Sequence, residues 1–215
     1  MIDMSELNEK GWLTVEGISS KEDIFELGRA IGTPVLTPNG EYVKEIRRFS
    51  AEQAPPESQS AIYGTGRFPL HSDTVFWATP VKYVLLRGYG DTRRPTTVLT
   101  FEDLFSQCDD NFMSLFRKSI WCVRAGKTQF YCSPIFNNNS ESKGWRLDVD
   151  LMHPANISAK EIAPKLRKLV NRSDTDSLIW NDRTAAIILN WTTLHGRGPQ
   201  PENEGERVIE RLYVR

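Results

Sequence analysis

The sequence predicts a mainly β fold with flanking helices, built on a double-stranded β-helix (jelly-roll) core. Three observations predict it. Short runs rich in β-branched and aromatic residues recur along the chain, at 12–15, 42–49, 81–86, 185–191 and 208–214. Helical spacing of apolar residues is confined to a few separate segments. Strands and helices do not alternate regularly, which disfavours a parallel β-α-β sheet and favours two packed antiparallel sheets with helices on an outer face.

In chain order, the strand-like 12–15 leads into a helix over 20–30. Ser20 is its expected N-cap, Asp23 stands three residues on, and Gly32 lies just past the end. A second extended stretch covers 42–49. The polar, proline-containing segment 51–60 reads as a loop, with the position of a lid. From 61 to 88 the chain is aromatic and β-branched, broken at Gly64, Gly66, Pro69 and Pro80, and reads as short strands. One helix is predicted over 101–118, with Leu104, Phe105, Phe112, Leu115 and Phe116 at helical spacing. Another is predicted over 158–171, opened by a capping box from Ser158 to Glu161 despite Pro164. Between them, 121–136 and 145–151 look extended. Strands at 185–191 and 208–214 flank a turn-rich GRGPQPENEGE.

The 215 residues suit one domain, 1–215, and apolar residues at 39% can fill a core. Twenty-seven basic side chains stand against 28 acidic ones, so charge supplies no argument for nucleic acid or a membrane surface; a small-molecule substrate is expected. Cys108, Cys122 and Cys132 form no CxxC pair and read as free thiols of a reducing compartment. The opening residues show no signal-like apolar stretch, and no run approaches a membrane span, so a cytoplasmic location is expected. Oligomeric state is not encoded legibly.

Only three histidines are present, which makes each informative. His71 and Asp73 stand two apart in FPLHSDT, a spacing that puts both on one face of an extended strand. An H-x-D triplet alone also fits a polar surface strand. His195 follows an apolar strand and precedes glycines, where a jelly roll can add a third inward ligand. Two histidines and one carboxylate on one face of an octahedron leave three positions open, the arrangement used by non-haem iron(II) with O₂ and an organic chelator. Downstream, Arg207 and Arg211 share a strand face. A guanidinium pairs bidentately with carboxylate, so one of them suits the far carboxylate of a 2-oxoacid such as 2-oxoglutarate. His153, beside Pro154, reads as a loop residue.

Together these residues resemble the taurine dioxygenase and clavaminate synthase superfamily of Fe(II)/2-oxoglutarate oxygenases. The matching stretches are FPLHSDT, TPVKYVLLRG, GDTRRPTTV, WRLD, LNWTTLHGRG and GERVIERLYV, in that order. The resemblance implies Fe(II) held by His71, Asp73 and His195, and 2-oxoglutarate and O₂ as co-substrates. It implies that Arg207, twelve residues past His195, binds the far carboxylate. Arg211 matches a position that touches substrate or co-substrate in some members. A threonine commonly completes the co-substrate site; Thr92, Thr96 and Thr97 are available and Thr97 is preferred because it precedes Val98 and Leu99. Arg146 fits either a pocket role or a structural ion pair. Because Asp73 retains the carboxylate that family halogenases lack, hydroxylation of an unactivated C–H bond of an amino acid or natural-product intermediate is the expected chemistry, with succinate and CO₂ released. The competing readings are a cupin-type metalloenzyme without 2-oxoglutarate, for which three histidines are few, and a non-catalytic jelly-roll binding module.

Overall fold

The structure, a computed structural model, describes residues 2–37, 39–47, 50–54, 59–91, 93–138 and 142–215. Its elements run α1 (Met4–Lys10), β1 (Trp12–Glu16), α2 (Lys21–Ile31), β2 (Pro34–Val35), β3 (Val43–Arg47), α3 (Gln59–Tyr63), β4 (Phe68–His71), β5 (Tyr83–Gly90) and β6 (Thr96–Thr100). They continue through α4 (Phe101–Phe105), α5 (Asp110–Lys118), β7 (Trp121–Ala125), β8 (Thr128–Cys132), β9 (Ile135–Asn138), β10 (Ser142–Trp145) and β11 (Met152–Pro154). The last are α6 (Ile157–Leu169), β12 (Asp176–Leu178), β13 (Thr184–Leu189), β14 (Thr193–Arg197) and β15 (Arg207–Val214).

Two sheets form the expected jelly roll. The larger runs β1-β13-β5-β15-β2, with β3 also paired to β15; the smaller runs β12-β6-β14-β4. Antiparallel pairing joins every neighbour in both. Strand alternation then sorts side chains between faces. On β5, Val84 and Leu86 turn inward, where they meet Val98, Trp180 and Ile188 between the sheets. Tyr83 and Leu85 turn outward, under α1 and α2, against Leu7, Ile24 and Leu27. Burying each such aliphatic side chain is worth roughly 1.5–3 kcal/mol. Gly28 lets α2 sit close to the sheet, since a Cβ there would come within 2.4 Å of Leu212. A third core, including Phe105, Phe116, Trp121, Leu147 and Ile162, lies under α4, α5 and α6 beyond the smaller sheet.

The cap of α2 is as expected: Ser20 Oγ accepts from the Asp23 N–H and Asp23 accepts from the Ser20 N–H. Two helix expectations change. The segment 101–118 is two helices, because Asp109 caps a new one by accepting from the Phe112 N–H at 2.7 Å. The helix expected from Ser158 is capped instead by Asn156, whose Oδ1 accepts from the Ala159 and Ile120 N–H groups; Pro164 is accommodated inside it. Part of the expected loop 51–60, residues 55–58, lies outside the described residues, as does Thr92. His153, expected in a loop, pairs with Cys122 across β11 and β7 and is exposed. Cys108, Cys122 and Cys132 are free. Among the described residues no helix is long and apolar enough to cross a membrane.

Candidate metal and co-substrate site

The smaller sheet sets the two histidines face to face. His71 ends β4, and its register partner across the ladder is His195 on β14. Their rings lie 4.5 Å apart between centroids. A register shift follows between His195 and Arg197. Gly196 permits the close approach there: a Cβ would meet the Phe68 carbonyl oxygen at 2.6 Å.

Asp73 reaches the same point by a different route from the one the sequence suggested. It is not on the strand; β4 stops at His71, and Asp73 begins a turn in which Thr74 takes φ 55°. A threonine there is a strained backbone position, held by its surroundings. Three side chains do the holding. Asn190, fully buried, accepts from the Asp73 N–H at 2.8 Å and donates to the carbonyls of Asp73 and Val81. Thr74 Oγ1 accepts from the Val81 N–H. Arg146 donates to the carbonyls of Val75, Trp77 and Ala78, which makes it a staple of this turn rather than a pocket residue or an ion-pair partner. Asn190 was not singled out by the sequence; its signal was a lone amide between an apolar strand and His195.

One donor atom from each of His71, Asp73 and His195 can be chosen so that all three lie within 4.8 Å of one another. All three residues are buried. His71 Nδ1 lies 3.0 Å from the Pro69 carbonyl oxygen, an acceptor that requires the proton on Nδ1 and leaves Nε2 as a lone-pair donor. Burial, reinforced by the neighbouring His195, pushes His71 down to about 3, so it is neutral at physiological pH. Burial by itself would raise Asp73, but the charge of Arg211 and the contact with His195 hold it well below the usual carboxylate range. Arg211 Nη1 donates to both Asp73 oxygens, at 3.1 and 3.2 Å. The set therefore presents two imidazoles, that of His71 neutral, and one carboxylate, a donor chemistry that fits a divalent iron.

Arg207 and Arg211 lie on the inner face of β15 and line the same cavity as His71 and His195, of about 180 Å³. Arg207 is buried, with the charges of Glu204 and Asp91 nearby; Nη2 donates to Thr96 Oγ1 at 3.1 Å, and Nε is buried with no hydrogen-bond partner. Burial, with the nearby charge of Arg94, pushes its guanidinium down to about 10. It remains a cation with an open donor, the fit a ligand carboxylate requires.

Thr97 does not line the cavity. Alternation along β6 sends Thr96 and Val98 inward and Thr97 and Leu99 outward, and Thr96 Oγ1 also accepts from Trp180 Nε1. Of the described threonines in that stretch, the one that reaches Arg207 is Thr96.

No protein-family model matches the chain, and no curated protein matches it in sequence. Solved structures do match in fold. PvcB from Pseudomonas aeruginosa superposes with TM-score 0.71 at 17% identity, over 98% of this chain and 77% of that one. A second PvcB structure, described as an Fe, alpha-ketoglutarate dependent oxygenase from an isonitrile synthetic pathway, gives 0.72 at 18% identity with the same coverage. Asparagine oxygenase in complex with Fe(II), 3-hydroxyasparagine and succinate gives 0.74 at 14% identity, over 98% and 76% of the two chains. The non-haem iron oxygenase OrfP, with Fe, succinate and (3S)-hydroxy-L-Arg, gives 0.71 at 15% identity, over 98% and 78%. The chain thus has the jelly-roll fold of the Fe(II)/2-oxoglutarate oxygenases, the class its sequence motifs resemble.

Proposed function

We propose that this protein is an Fe(II)- and 2-oxoglutarate-dependent dioxygenase that hydroxylates an unactivated C–H bond of a small molecule. Residues 1–215 act as one oxygenase domain in a reducing, cytoplasmic setting. The observation that carries the reading is the pairing, in one cavity, of a buried His-Asp-His donor set with a buried arginine whose Nε has no partner.

His71, Asp73 and His195 would hold the iron, which when bound supplies O₂ activation coupled to decarboxylation of 2-oxoglutarate to succinate and CO₂. The chain does the rest. The Pro69 carbonyl fixes the His71 tautomer, and Asn190 fixes the backbone of Asp73. Arg211 keeps the Asp73 carboxylate ionised and oriented. Arg207 would take the far carboxylate of 2-oxoglutarate, with Thr96 Oγ1 aligning its guanidinium. Orientation comes from this anchor, because a planar guanidinium accepts the carboxylate in one geometry.

Anaerobic titration of the purified protein with Fe(II) and then 2-oxoglutarate tests the reading. A weak visible charge-transfer band is expected on adding the 2-oxoacid, and its loss is expected in His71→Ala, Asp73→Ala and His195→Ala. Iron binding without any band would overturn the 2-oxoglutarate assignment; no iron binding would overturn the metal site.

A further inference from the structure

We propose a second ligand site, separate from the iron cavity, that takes an organic carboxylate with an apolar body. It is a cavity of about 390 Å³ behind the Asp73 turn, whose lining includes Trp77, Pro80, Lys82, Trp191 and Arg215. Among the described residues none lines both cavities. Three segments remote in sequence meet there: the connection from β4 to β5, the turn between β13 and β14, and the residue that follows β15. Each is tied down by its own bonds. Trp191 is 6% exposed, and its Nε1 donates to the Pro80 carbonyl at 3.0 Å. Arg146 donates to the Trp77 and Ala78 carbonyls. The backbone of Arg215 exchanges two hydrogen bonds with that of Thr33. A cavity with walls held in this way is formed before a ligand arrives, so little ordering is left to oppose binding.

The charge of the cavity chooses its ligand. Arg215 places its guanidinium carbon 5.4 Å from the ring centre of Trp77, and Lys82 Nζ lies 5.9 Å from that of Trp191. Each cation is drawn to a ring face. Neither side chain makes an ion pair or a hydrogen bond among the described residues. Other surface arginines behave differently: Arg47, Arg93, Arg167 and Arg172 each meet a carboxylate. Here none of the described lining residues carries an acidic side chain. Two like charges on one cavity repel each other, and an anion between them replaces that repulsion with two attractions. A guanidinium over a ring keeps its N–H donors at its edge, where a carboxylate can accept two of them, and the ammonium adds a further donor. Trp77, Pro80 and Trp191 then cover what the carboxylate is attached to. So much apolar wall is of no use to a bare inorganic anion, which favours an organic acid over phosphate.

The test titrates 2-naphthoate, 2-naphthamide and inorganic phosphate into the protein, by calorimetry and ligand-observed NMR, under anaerobic conditions with Fe(II) and saturating 2-oxoglutarate. The naphthoate is expected to bind at least about tenfold more tightly than either other probe. Lys82→Gln/Arg215→Gln breaks no ion pair among the described residues. It should weaken naphthoate binding by about tenfold or more, with the melting temperature and the 2-oxoglutarate dissociation constant unchanged. In Arg207→Met, titrated without 2-oxoglutarate, naphthoate binding should persist. Equal or tighter binding of the amide or of phosphate would overturn the proposal, and so would failure of the naphthoate to bind. Undiminished affinity in Lys82→Gln/Arg215→Gln, or its loss in Arg207→Met, would place the acid in the iron cavity and overturn it as well.

Discussion

Two arginines of nearly equal burial stand on opposite faces of the larger sheet, and their surroundings differ completely. Arg87, on β5, is 7% exposed on the outer face; Arg207, on β15, is 8% exposed on the inner face. Arg87 pairs with Glu210, its register partner, and donates to the carbonyls of Ile18, Ser19 and Asp182. Arg207 has one hydroxyl, that of Thr96, and an Nε with nothing to bond. A buried cation whose donors are filled by the chain ties elements together. One whose donors are left open is arranged for a group the chain does not contain.

The comparison breaks most sharply on substitution. Arg87→Ala removes the buried hydrogen-bonded partner of Glu210, so unfolding by urea should show a loss of about 3–5 kcal/mol, with 2-oxoglutarate affinity of the surviving folded protein unchanged. Arg207→Met should do the reverse. It removes a buried charge that has no direct ion-pair partner among the described contacts, so stability should change little, while the dissociation constant for 2-oxoglutarate rises by about 30-fold or more. Iron affinity should be little altered. Should Arg207→Met destabilise the fold as Arg87→Ala does, Arg207 is scaffold and the co-substrate assignment passes to Arg211.

The same contrast explains what was legible in the sequence. Residue chemistry was legible: His71, Asp73, His195 and Arg207 announce themselves by type, order and spacing, and the structure gathers His71, Asp73, His195, Arg207 and Arg211 about one cavity. The β-branched and aromatic runs at 81–86, 185–191 and 208–214 became the central strands of the larger sheet, since β propensity is a local signal. What stayed hidden depends on partners distant in sequence. The break between α4 and α5 turns on Asp109 outcompeting helix continuation. The cap of α6 falls on Asn156 because its amide also bonds Ile120 and Lys118, 36 and 38 residues away. Arg146 and Asn190 earn their roles only from backbone carbonyls and amides that a turn brings to them.

Asn190 sharpens the comparison one level down, since it serves the metal site without touching a ligand. Asn190→Ala leaves the Asp73 N–H and the Val81 carbonyl without their partner, which should cost about 1–3 kcal/mol in stability. It should also loosen the turn that presents the carboxylate and weaken Fe(II) affinity by roughly 10–100-fold. Metal titration monitored alongside thermal unfolding separates the two effects. A loss of stability with unchanged iron affinity would show that Asp73 is positioned without Asn190, by Arg211 and the remaining contacts of the turn.

The smallest expected effect concerns neighbouring threonines on β6, and it tests strand alternation directly. Thr96 faces inward, where its Oγ1 accepts from both Arg207 and Trp180. Thr97 faces outward beside Gly196. Valine matches threonine in shape and removes only the hydroxyl. Thr96→Val therefore deprives the Arg207 guanidinium of its one aligned acceptor, and loss of a single hydrogen bond of about 1 kcal/mol should raise the 2-oxoglutarate dissociation constant by about fivefold. Thr97→Val should leave that constant unchanged, because no part of its side chain meets the cavity. The opposite pattern, with Thr97→Val weakening the co-substrate and Thr96→Val silent, would mean that β6 presents its other face to 2-oxoglutarate, and that the open Nε of Arg207 awaits something else.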